Sequence, residues 1–444
     1  MKTLTTPVVS LAVCAMVGLA GCHRGESIDT HALRPGAFDP CVMALAPHQG
    51  TGDVDSDIAR VQQRARDAAH PVPPLTELAQ QFITRARTSQ VATYYVMAEH
   101  AALCVESKDP GNAQALLMRG HVLHQFHRFA EAEVLARQVV AKRGLFLDYG
   151  LLGDVLLEQG RIQDAADAYQ KMIDLKPYFH SYTRAAHLRW IKGDLSGAIE
   201  LIGMAIKAAS PRDPESAAWA YTRLANYELQ AGRREDAMLA SDRALSYQPA
   251  YAAALLVRGR TLLADGKAAA AVDVLRRAAL NSPLPEHEWA LADALRAVGD
   301  LDEARTVEER LGRGGATTDP RTFALYLATR RERSDEALAL AEKEMTNRQD
   351  VFTLDALAWS LAAAGRTAEA DAVMTRALAE GTQDARLFYH AGVIASARGE
   401  SARARRWFDK AAASAQMLLP SERDDMTQQL ASVKGQAHNR RSAI

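Results

Sequence analysis

"LLEQGRIQDAADAYQKMIDLKP", residues 156–177, decides how the chain is read. Gly160 ends one helical pattern, a second begins almost at once, and Pro177 stops it. Two helices this short cannot close a core of their own, so they must pack against neighbours. The chain contains those neighbours. The turn glycine recurs as Gly193, Gly232, Gly266, Gly299, Gly365 and Gly399, at spacings of 33, 39, 34, 33, 66 and 34, with Glu332 in the one empty place. Five residues after each turn stands an alanine: Ala165, Ala198, Ala237, Ala271, Ala304, Ala337, Ala370 and Ala404, with Ala132 upstream. Seven residues before each turn stands a small residue: Gly120, Gly153, Ala186, Ala225, Gly259, Ala292, Ala358 and Gly392, with Leu325 the exception.

Three columns in phase have one physical reading. Two helices in a hairpin must cross closely, and the small residue on the first and the alanine on the second let their backbones approach. A larger side chain at either place overpacks the crossing by ~1–3 kcal/mol. Glycine supplies the turn, and Pro177, Pro249 and Pro283 end second helices because proline cannot donate the next hydrogen bond. Stacked hairpins bury a continuous core that none could bury alone.

The pattern resembles the tetratricopeptide repeat. Tyr149, Leu152, Gly153, Gly160, Ala165, Tyr169 and Pro177 meet the family pattern within one unit, and nine units run from about residue 109 to 416. A weaker unit precedes them, with "YYVMAEHAALCVESKDP" as its second helix. The resemblance implies an all-α solenoid of about ten helix pairs over residues 73–420, wound into a right-handed superhelix with one concave face. Residues 421–444 read as a capping helix begun by Ser421 and a basic tail, "QAHNRRSAI", expected to fray. "GRGGATTDP" is expected to loosen the stack or act as a hinge, and "SPRDPES" to lengthen one loop.

The start of the chain reads as a targeting segment. "MKTLTTPVVSLAVCAMVGLAGC" has one lysine, an apolar run too short to span a membrane, and small residues at its end. Leu19-Ala20-Gly21-Cys22 resembles the lipobox of bacterial lipoproteins. That resemblance implies removal of residues 1–21, acylation of Cys22, and stable anchoring by several chains at ~0.8 kcal/mol per buried methylene. An ordinary secretory signal cut near Ala20 is the alternative. His23 stands where similar lipoproteins retained at the inner membrane carry Asp, so the resemblance favours the periplasmic face of an outer membrane. Residues 22–72 read as the lipidated cysteine and a flexible tether, of which the stretch from His23 to about Ser56 reaches roughly 30 Å. "DIARVQQRARDAAH" is a lone helix within it, ahead of the breaker "PVPP". Cys14 leaves with the signal; Cys41 and Cys104 remain, and both a bridge between them and two free thiols fit the sequence.

The 444 residues are 48% hydrophobic and 24% charged, with a formal net charge of −1, so nothing calls for nucleic acid or an acidic surface as partner. In the resembling family the first helix of each unit lines the concave face. Carried onto this chain, the lining places hold Trp190, Trp219, Trp289, Trp359, Tyr326, Phe352 and Tyr389. Four of the five tryptophans thus share one face, and large flat side chains dominate binding hot spots. The competing reading is that they fill gaps between neighbouring first helices. Asn226 and Gln230 share the face as amides able to hold a peptide backbone. His121, His124, His180, His187, Asp154, Asp293, Arg260, Arg296 and Arg330 add mixed charge.

Motifs for chemistry fail on inspection. His121 and His124 share a helix face, but His127 falls at the turn. "HEWAL" begins like a zinc-protease helix but has Leu291 where the second histidine belongs. No phosphate loop, nucleophile elbow or dinucleotide fingerprint is present in the sequence. The chain reads as a lipid-anchored, non-enzymatic scaffold in the cell envelope, without cofactor or metal, that holds a protein or peptide client in its concave groove. The alternative is a carrier of metal or small ligand using His121, His124, His180 and His187.

Overall fold

The computed structural model describes residues 39–442 except 51, 90, 211 and 212, and among these residues every regular element is helical. The expected signal segment, the lipidation site Cys22 and the first part of the expected tether lie outside the described residues. Two helices open the described chain, Pro40–Ala44 (α1) and Asp53–Asp67 (α2). Ten helix pairs follow. The first three are Val72–Ser89 with Thr93–Lys108 (α3, α4), Ala113–Gln125 with Phe129–Lys142 (α5, α6), and Phe146–Glu158 with Ile162–Leu175 (α7, α8). Then come Phe179–Ile191 with Leu195–Ala208 (α9, α10), Pro214–Gln230 with Arg234–Tyr247 (α11, α12), and Ala252–Ala264 with Ala268–Asn281 (α13, α14). The later pairs are Pro285–Ala297 with Leu301–Thr318 (α15, α16), Pro320–Arg330 with Ser334–Met345 (α17, α18), Val351–Ala363 with Thr367–Ala377 (α19, α20), and Ala385–Ala397 with Ser401–Ala412 (α21, α22). Pro420–Ser442 (α23) closes the series.

The three columns sit where the hairpins cross. All nine second-helix alanines, from Ala132 to Ala404, are 0% exposed. A Cβ added at Gly153 would run into the Tyr169 ring, and one at Gly392 would lie 2.6 Å from the Phe408 ring. The turn glycines, Gly160 through Gly399, take φ between +73° and +84°, the left-handed region that glycine enters without penalty. Where the repeat lacks the glycine, other residues take that conformation: His127 (φ +56°), and Arg331 (+54°) and Arg333 (+51°) on either side of Glu332.

Three expectations change. "GRGGATTDP" does not loosen the stack: α16 runs unbroken through it to Thr318, and Asp319 caps α17 by accepting from the Thr322 amide at 3.2 Å. Gly315 is what lets α16 approach α17, since a Cβ there would lie 2.5 Å from the Phe323 ring. Residues 22–72 are not a tether from Pro40 onward. Ile58, Val61 and Ala65, spaced three and four apart, form an apolar stripe on α2 that buries with Leu75, Leu78 and Phe82 of α3. "PVPP" is no breaker there, because Pro71 stands just ahead of α3 and Pro73 and Pro74 fall in its first turn, where the missing N–H costs nothing. A Cys41–Cys104 disulfide joins α1 to α4. Ser421, finally, is not a cap: α23 begins at Pro420, the Glu422 carboxylate accepts from the Leu419 amide at 2.9 Å, and the backbone stays helical through most of the expected tail.

The stack also returns on itself. The Gln349 amide donates to the Glu158 carbonyl at 2.9 Å, and Thr382 Oγ1 donates to the Ile191 carbonyl at 2.6 Å. One apolar core joins Leu151, Leu156 and Ile191 of the early pairs to Val351, Leu361 and Ile394 of the late ones. Gly160 is fixed twice over: φ is +74°, and a Cβ there would lie 2.5 Å from the Gln349 carbonyl oxygen.

Candidate functional site

First helices of the early pairs, with help from residues one turn later in the stack, enclose two adjoining cavities. The first, about 420 Å³, lies among α5, α7, α9 and the start of α11. The second, about 400 Å³, lies among α11, α13, α17 and α21. Trp219 lines both.

Of the residues expected on this face, the early ones line the cavities and are half-buried. Trp190 stacks on Phe352 from the returning turn at 5.2 Å and on His187 at 5.5 Å. His124 and His187 line the first cavity with His180, and Asn226 lines the second. His121 is half-buried nearby on α5, with Asp154 and Arg184 as its charged surroundings. Gln230 is already committed. Its Oε1 accepts from Trp190 Nε1 at 2.7 Å and its amide nitrogen donates to the Gln383 carbonyl, so it ties two turns together rather than waiting for a peptide backbone.

The late aromatics do not offer free surface. Trp289, Tyr326, Trp359 and Tyr389 are all 5% exposed or less. Trp359 fills the gap between neighbouring first helices, donating to Thr329 Oγ1 at 3.0 Å and stacking on His390 at 4.1 Å. Trp289 packs edge-on against Tyr326 and carries the Arg386 guanidinium 4.7 Å above its ring. Tyr389 donates to Asp425 of α23 at 2.6 Å. The start of α23 covers this region: Ser421 donates to Asp293 at 2.6 Å, Arg386 grips Glu422 at 2.7 and 3.1 Å, and Arg423 reaches the Leu263 carbonyl at 3.0 Å.

Charge in the cavities is mostly matched. Arg184 holds Asp154 at 2.5 and 2.8 Å with Tyr169 donating at 2.9 Å; burial alone would raise that carboxyl, but Arg184 outweighs it and the pKa falls. Burial drives the histidines the other way: His121 and His180 are pushed down to about 4 and His187 to about 3, so all three are neutral at pH 7. Glu158, at the seam between turns, is pushed up to about 7 by burial and by Asp350 beside it. Among the described residues no three His, Cys, Asp or Glu side chains gather to hold a metal ion. Asp154, whose charge acts on His121 and His124, is held by Arg184 rather than left for a metal ion.

A tetratricopeptide-repeat family profile matches residues 149–180 and 222–285, and a second of the same description matches 285–310 and 352–376. These segments are tetratricopeptide repeats. Arrays of tetratricopeptide repeats mediate binding to protein partners and are generally non-catalytic scaffolds. No curated protein matches the chain. Among solved structures, one described as the functional characterization of Pseudomonas aeruginosa pilF is 13% identical, covering 52% of this chain and 97% of its own, at a TM-score of 0.39. A tetratricopeptide repeat protein from Parabacteroides merdae is 18% identical over 58% and 98%, at 0.33. MamA is 20% identical over 36% and 94%, at 0.31. Likeness at this level carries no argument about function.

Proposed function

We propose that the chain is an exported, lipid-anchored tetratricopeptide scaffold that holds a segment of a client protein in the two cavities between its early first helices. It makes and breaks no bond; binding uses preorganised shape and half-exposed aromatic walls. One observation carries the reading: Trp190 and Trp219 stand half-buried at the walls of adjoining cavities, with no residue of the described chain seated in them. The Cys41–Cys104 disulfide supports export, since such bonds persist in oxidising compartments. Anchoring rests on Cys22 and its lipobox resemblance, and the outer membrane of the cell envelope on His23.

Photo-cross-linking from position 219 tests the client site, with position 280 on α14 as control, because Leu280 is 80% exposed and lines neither cavity. Discrete adducts from 219 and not from 280 are expected in cells; the same adducts from both positions, or none from 219, would overturn the reading. In the same cells, Cys22→Ser should move the protein from membrane to soluble fraction, and continued sedimentation would remove the anchor.

A further inference from the structure

Six arginines line the two cavities, and five have a carboxylate partner. Arg223 is the sixth. Among the described residues no carboxylate lies within 4.0 Å of it. Its guanidinium sits 5.4 Å from the Trp190 ring centre and 5.2 Å from that of Tyr227, and it donates at 3.3 Å to the Tyr227 hydroxyl and to Nδ1 of His187. A guanidinium can only donate, so His187 accepts there and is neutral. Neither neighbour offsets the charge, and a partly desolvated cation left without a counter-charge is unfavourable.

The chain itself shows how such a position is completed. Arg386 also lies over a tryptophan, Trp289 at 4.7 Å, and it is closed by two hydrogen bonds to Glu422. Glu422 follows a short apolar pair, Leu418 and Leu419, that is buried in the late core. Arg223 over Trp190 repeats that arrangement with the carboxylate missing.

We propose that Arg223 receives an acidic side chain of the client, in a peptide segment where the carboxylate follows a short apolar run. This rests on the cavities being the client site, and it adds the chemistry that selects the client. Bidentate pairing with a carboxylate would give the selection its geometry as well as its charge.

Fluorescence anisotropy with the full chain tests it. The probes are two labelled peptides: one copies residues 418–430, and the other has its Glu and Asp replaced by Gln and Asn. The acidic peptide should bind about tenfold tighter or more. Arg223→Gln should erase that difference, while Arg223→Lys, which keeps the charge but not the fork, should retain part of it. Melting temperatures of both variants within a few degrees of wild type exclude misfolding. Equal binding of the two peptides to wild type would overturn the role of Arg223 and leave the client site standing on the cross-linking result. Binding by neither peptide, or a preference that survives Arg223→Gln, would overturn the proposal as well.

Discussion

The early and late halves of the inner face share one chemistry and end in opposite states. In the late half Arg386 rests on Trp289, and its charge is met by Glu422 of the chain's own last helix. In the early half Arg223 rests on Trp190 at the wall of the second cavity, which Arg386 lines too, but no carboxylate of the described residues meets its charge. The repeats do not make this difference. It comes from what lies beyond them: α23 lays its acidic first turn across the late half, whereas α3 reaches the early cavities only at their edge, through Arg87 and Glu215 at 2.6 Å. Repeats therefore set what kind of surface is built, and the capping segments set how much of it stays open.

The sharpest break of this comparison is Glu422→Ala. Arg386, 19% exposed, would be left with an unpaired charge, at a cost of about 3–5 kcal/mol. Arg223→Ala breaks no ion pair and should cost about 1 kcal/mol or less, the scale of a cation–π contact. Chemical denaturation measures both, and equal costs would mean that the two arginines are not filled and vacant versions of one arrangement.

A smaller effect separates the halves by pH. His121, His127 and His180 are pushed down to about 4 and His187 to about 3, chiefly by burial, from an ordinary 6.5. Folded values below the unfolded one mean that their stabilising neutrality is fully present above pH 6.5 and is lost as pH falls toward 4. Glu158 runs the other way: raised from 4.5 to about 7, its contribution is full below 4.5 and lost as pH rises through 7. Asp293, raised to about 6 chiefly by burial, acts with Glu158, but the four histidines outweigh these two, so the melting temperature should be lower at pH 5 than at pH 7.5, with the early half, which holds the histidines, losing structure first. Tryptophan fluorescence of Trp190 and Trp219 against Trp289 and Trp359, in single-tryptophan variants, reads the order. An unchanged melting temperature would show that burial of the histidines is not the controlling term.

The smallest effect sits in the turns. Arg331→Gly should gain about 1 kcal/mol by relieving a left-handed backbone. His127→Gly relieves the same conformation but removes a ring stacked on Phe129 at 5.6 Å and hydrogen-bonded to Arg348 at 2.8 Å, so its net change should be near zero. Thermal melts of the two variants distinguish backbone relief from lost contact.

The hairpins were legible in the sequence because their constraint is local. A crossing that admits only glycine or alanine, such as Gly153 against Tyr169, writes itself at fixed spacing within one unit. The returning seam was not legible. Gly160 meets Gln349, and Trp190 meets Phe352, across separations that no periodicity marks; Trp289 and Trp359, by contrast, are covered from neighbouring first helices, the competing reading that the sequence left open. Arg223 was missed because it lies two residues before the small residue Ala225, outside the expected lining places. A signal for it does exist: its helix neighbours at three and four residues, Trp219, Ala220, Asn226 and Tyr227, include no carboxylate to pair with it.

The seam changes what kind of object this array is. In an ordinary linear array each unit answers only to those beside it, and ends can melt while the middle holds. Here the apolar core of the early hairpins is completed by side chains from residues 351–394. During synthesis the early hairpins must wait for the late ones, and trimming late units would undo early ones. Contacts this distant along the chain slow folding, and melting that starts in the early hairpins would strip the late ones of their seam.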